Sequence, residues 1–133
     1  MKKLLSLFII LSLTASILML TACKSDEAEE ISKDDVGGKI YVYESGGLGG
    51  DFIITLFDDG TFSYSEGPRS SHIGIGTWTL DEGAVTLTEE TGRINVFSAR
   101  GGKLVYVKKG SDGFENVTVR NGERFSVMSE MGE

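Results

Sequence analysis

From Lys39 to Met128 the chain reads as short runs of alternating character, separated by turns rich in glycine, aspartate and asparagine. Alternation with a period of two places successive side chains on opposite faces of a strand. Strands are predicted over 39–44 (KIYVYE), 51–57 (DFIITLF), 61–65 (TFSYS), 74–80 (GIGTWTL), 84–88 (AVTLT), 93–98 (RINVFS), 103–108 (KLVYVK), 114–120 (FENVTVR) and 123–128 (ERFSVM). No run in this region has the spacing and length of a helix. The expected inward residues are Ile40 and Val42 in the first run, Ile54 and Leu56 in the second, and Phe62 and Tyr64 in the third. Trp78 and Leu80, then Val85 and Leu87, then Leu104, Tyr106 and Phe125 continue the set.

Asp58-Asp59-Gly60, Asp81-Glu82-Gly83, Gly101-Gly102 and Asn121-Gly122 are tight-turn signals, the last a strong two-residue hairpin signal. Close turns pair neighbouring strands in sequence order. A long meander leaves two unpaired edges unless it closes on itself. The expected fold is therefore all-β: an antiparallel up-and-down meander of eight or nine strands, curled or closed into a barrel, with a two-sheet sandwich as the alternative. The barrel interior is filled by side chains or holds one small ligand.

The start of the chain has a different pattern. Met1-Lys2-Lys3 is basic, and Leu4 to Leu20 is apolar except for Ser and Thr. Small residues and then an acidic stretch follow, without a basic stop-transfer cluster. This is the pattern of an export signal, at the short end for spanning a bilayer. The sole cysteine, Cys23, follows at once. Leu20-Thr21-Ala22-Cys23 resembles the lipobox of bacterial lipoproteins. The resemblance implies cleavage before Cys23, acylation of its thiol, and a domain held by two or three chains at the cell membrane or outer membrane, on the exported face. Residues 1–22 are then the leader, 23–36 a lipidated, acidic and flexible tether, and 37–133 one β domain.

With Cys23 lipidated, no cysteine is left for a disulfide. Loss of the leader removes Lys2 and Lys3 but no acid, which moves the net charge from −7 to −9. An acidic domain is repelled by nucleic acid, which is excluded as a partner.

The phrases DDGTFSYSE, GIGTWTLDEGAVTLT and GGKLVY, between Asp58 and Tyr106, look like those of small bacterial lipoproteins with lipocalin-like barrels. The resemblance implies the fold more than any activity, because the phrases mostly encode hairpins.

Candidate chemistry is sparse. His72, the one histidine, lies beside Ser70 and Ser71 in a Gly- and Ser-rich loop without a G-x-S-x-G elbow. One histidine and no spare cysteine argue against a metal site. Ser45–Asp51 (SGGLGGD) lacks the Lys-Ser/Thr of a phosphate loop. It is expected to share one end of the barrel with Glu66–Ile75. That rim is the candidate contact surface, with Arg69, His72, Tyr41 and Tyr43, and with Tyr64 and Trp78 lining any open interior. The expectation is a non-enzymatic, membrane-anchored binding module without cofactor, whose partner is a small apolar ligand or an envelope protein. The alternative is a structural or accessory envelope lipoprotein without a discrete ligand. An enzyme would need acids such as Glu44, Asp51 and Glu66 to converge.

Overall fold

A computed structural model describes residues 30–45 and 51–130. The leader, Cys23 and most of the Gly-rich loop lie outside the described residues. One helical turn, α1 (Lys33–Val36), precedes eight strands: β1 (Lys39–Tyr43), β2 (Ile53–Leu56), β3 (Thr61–Ser65), β4 (Ile73–Asp81), β5 (Ala84–Glu89), β6 (Ile94–Arg100), β7 (Lys103–Val107) and β8 (Arg124–Glu130). All neighbours pair antiparallel in sequence order. β1 pairs with β8, so the sheet is a closed barrel, consistent with a lipocalin-like architecture.

Closure removes both free edges and turns one face of every strand inward. Ile54, Leu56, Phe62, Trp78, Val85, Leu87, Leu104 and Phe125 are buried, as the alternation predicts. Leu80 is half-buried against this core. Three expectations are corrected.

In β1 the buried residues are Tyr41 and Tyr43, while Ile40 and Val42 are half-buried. The run is apolar on both faces, so alternation alone does not choose one. The tyrosines bring the larger volume, and each hydroxyl has a partner: Tyr41 Oη donates to Val36 O at 2.7 Å, and Tyr43 Oη donates to Glu123.

The predicted strand over 114–120 does not form. Residues 111–120 instead make an irregular strap that crosses the barrel mouth between β7 and β8. Its backbone groups bond to side chains in place of a sheet ladder. Asn95 donates through Nδ2 to Gly113 O at 3.0 Å and accepts from Gly113 N at 3.1 Å.

The spacer also ends earlier than position 36. Ser32 N and Oγ both donate to Asp35 Oδ2, closing the α1 turn. Val36 is buried, and Ile31 packs on the core. α1 thus seals the end opposite the strap. Gly37 lies there against the Trp78 ring, where a Cβ would come within 2.9 Å of it.

Candidate functional site

The strap end of the barrel is where sequence-distant polar groups meet. Glu66, from the segment after β3, is fully buried. Its Oε1 accepts from Asn116 N at 2.9 Å and Val117 N at 3.0 Å, and its Oε2 accepts from Asn116 Nδ2 at 3.3 Å. A buried carboxylate is tolerated only when paired or hydrogen-bonded. Here three N–H donors hold it and fix the strap.

Beside it, Glu89 at the end of β5 is also buried. Tyr64 Oη donates to Glu89 Oε2 at 2.8 Å. His72 places Nε2 3.2 Å from Glu89 Oε1 and Nδ1 3.1 Å from Glu115 Oε2 on the strap. Arg93 approaches the same two acids at 3.8 and 4.0 Å. Burial first, and the Glu89 hydrogen bond second, push the Tyr64 phenol well above its ordinary range. Tyr64 is a neutral phenol near pH 7 and donates to Glu89.

His72 has one carboxylate at each ring nitrogen, on different sides of the ring. The arrangement ties the strap to β5; it does not aim ligands at one point. No cluster among the described residues has three metal-ligating side chains placed for an ion.

The sequence-predicted residues divide between the ends. His72 and Tyr64 meet, with rings 5.8 Å apart. Tyr43 is at the same end, bonded to Glu123. Arg69 is exposed and enters no ion pair or side-chain hydrogen bond among the described residues. Tyr41 and Trp78 lie at the α1 end, where Trp78 Nε1 donates to Phe57 O at 2.8 Å. Of Ser45–Asp51, only Ser45 and Asp51 are described, and Gly46–Gly50 lie outside the described residues. The acids do not converge. Glu44 pairs with Lys103 at 2.7 Å on the outer wall, Glu66 is under the strap, and Asp51 is exposed. Glu89, Arg93 and Glu115 carried no sequence signal, because the β4–β5 pairing and the strap bring them to His72.

The interior is occupied. Phe114 inserts from the strap, with its ring 4.8 Å from that of Phe52, 5.2 Å from Tyr64 and 5.8 Å from Tyr106. Phe52 and Phe97 stack edge-on against Phe125 at 5.1 and 5.5 Å. At the opposite end a groove of about 290 Å³ runs between α1 and the β6–β7 turn, lined by Ile31, Val36, Tyr41 and Arg100 among others.

Comparison with protein-family models, curated proteins and solved structures found no match. No helix among the described residues is long and apolar enough to cross a membrane.

Proposed function

We propose that the chain is an exported, lipid-anchored β-barrel that acts as a non-enzymatic binding module through its outer surface, with a protein as partner and no small molecule held inside. The observation that carries this reading is Phe114. The strap delivers an aromatic ring to the place where a ligand would enter, and Phe52, Tyr64, Phe97 and Tyr106 close around it. An eight-stranded barrel has room for side chains or for one small guest. The polar groups nearby bond to one another, which supports the non-enzymatic reading. The anchor rests on Met1–Cys23, with its basic start, apolar core and LTAC ending.

Two measurements test the reading. Expressed with its leader in a bacterium, the chain is expected in the membrane fraction, with a mass that starts at Cys23 and carries acyl chains. Cys23→Ala is expected to abolish the acylation. A soluble protein with a bare Cys23 thiol overturns the anchor. Titration with an apolar fluorescent probe is expected to give no saturable one-to-one uptake; stoichiometric, saturable binding overturns the filled-barrel reading.

A further inference from the structure

His72 is the only histidine in the chain, and it stands where the strap meets the barrel. Each ring nitrogen faces a carboxylate oxygen: Nε2 lies 3.2 Å from Glu89 Oε1, and Nδ1 lies 3.1 Å from Glu115 Oε2. A neutral imidazole has one N–H and one lone pair, so it donates to only one of these oxygens. The imidazolium donates to both. The link from β5 through His72 to the strap is therefore complete only when the ring carries two protons.

The surroundings decide which contact is lost when one proton leaves. Glu89 from β5, Glu115 from the strap and Tyr64 from β3 face the ring, and Arg93 from the turn before β6 approaches both acids. On the histidine's own loop, Ser70 Oγ accepts from His72 N at 3.2 Å. Glu66, the other acid at this end, is bonded to Asn116 and Val117. As carboxylates, Glu89 and Glu115 set two negative charges against the one positive charge of Arg93, and the imidazolium completes the balance. The Glu89 side chain is 3% exposed and that of Glu115 52%. A buried carboxylate oxygen left without its donor costs more than one that can turn to water.

We propose that His72 is a proton-operated latch on the strap: doubly protonated it joins Glu115 to Glu89, and as the neutral ring it keeps its proton on Nε2 for Glu89 and releases Glu115. The latch is closed on the acid side of the histidine titration and opens as pH rises. Release is local, because Asn95 holds Gly113 and Glu66 holds Asn116 on either side. The stretch between them carries Phe114, the ring packed against Phe52 and Tyr64, so the proton on Nδ1 sets how firmly that plug is seated.

The test follows the full chain by hydrogen exchange read by mass spectrometry, with each rate divided by the intrinsic rate at that pH. A histidine changes charge between about pH 5 and about pH 8, so exchange is compared at about pH 5.5 and about pH 8.5. Protection over 113–115 is expected to fall about two- to fivefold, the range that a half-exposed ion pair supports. β6 and β7 are expected to keep theirs. Glu115→Ala changes a half-exposed site, and is expected to hold protection at the high-pH level throughout. With histidine labelled in nitrogen-15, the one ring is read directly by nuclear magnetic resonance, and its neutral form is expected to carry the proton on Nε2. The proposal is overturned by strap protection that stays level or rises with pH, by the same fall in Glu115→Ala, by a fall shared with β6 and β7, or by a neutral ring protonated at Nδ1.

Discussion

Asn116 donates to Glu66 twice, from its backbone N at 2.9 Å and from Nδ2 at 3.3 Å, so one strap residue is gripped through both its main chain and its side chain. The carboxylate has no solvent exposure and makes a further bond to Val117 N. At Asn116 and Val117 the strap is held by this one side chain, while Asn95 holds it at Gly113 and His72 at Glu115.

Replacing Glu66 by Ala leaves two backbone N–H groups without their acceptor. The expected loss is about 3 kcal/mol, given what bonds to charged acceptors are worth and what orphaned donors cost. Glu66→Gln keeps an oxygen for those two N–H groups and should lose less. Urea denaturation ranks the variants, and amide exchange at Asn116 and Val117 should quicken in Glu66→Ala before it does elsewhere. Equal protection in both proteins would show that the strap is held by other contacts.

Gly74 and Gly76 of β4 point inward beside Trp78. A Cβ at Gly74 would come within 2.0 Å of the Tyr64 ring, and one at Gly76 within 2.0 Å of Thr88 O. Gly74→Ala must displace the ring that bonds Glu89, with an expected cost of about 1–3 kcal/mol, as for other overpacked sites. Gly76→Ala meets backbone and should cost more. Thermal unfolding of the two variants gives the order.

All four tyrosines titrate above their ordinary value, and burial is the leading cause in each. Tyr41 and Tyr43 are each pushed up to about 12. A phenol whose pKa is raised by folding stabilises the native state fully below the unfolded value of 10 and loses that contribution as pH rises towards 12. Stability should hold up to pH 10 and then fall, and tyrosinate absorbance should appear together with unfolding. Tyrosinate formed near pH 10 in the folded protein would contradict this.

The acid side has the opposite sign. The Tyr43 hydrogen bond, followed by the Arg120 backbone N–H, holds Glu123 below its usual 4.5. Its contribution is present above that value and is lost as pH falls through the depressed one. Tyr43→Phe should remove part of this acid dependence, and denaturation midpoints of the two proteins between neutral and acid pH measure the difference.

Trp78→Phe keeps most of the ring volume but removes the Nε1 donor to Phe57 O. A net loss of about 1 kcal/mol is expected for that bond, plus a packing loss against Gly37. The α1 turn rests on this ring, with Lys33 Nζ 5.4 Å from its centre. Proteolysis near Lys33 should therefore accelerate in the variant.

The strands were legible where one face was clearly more apolar. TFSYS and AVTLT show their buried side without ambiguity, and the turns between them contain glycines at positive φ, such as Gly60 and Gly83. In KIYVY alternation does not identify the buried face, because both faces are apolar and the tyrosine hydroxyls find partners only after folding. FENVTVR alternates like a strand, yet Glu66 and Asn95 capture its neighbourhood first. The anchor proposed for Met1–Cys23 rests on a local sequence motif alone, and those residues lie outside the described ones. The His72 cluster was not, since its four partners come from β3, β5, the turn before β6 and the strap.

The seam between β1 and β8 joins Lys39 to Glu130, nearly the two ends of the described domain. No intermediate length of chain can make that joint. A polypeptide without its final strand displays two raw β borders, so cylinder formation has to wait until β8 is available. A premature stop before Arg124 would leave those borders open for good, and the product would be a substrate for proteases or aggregation.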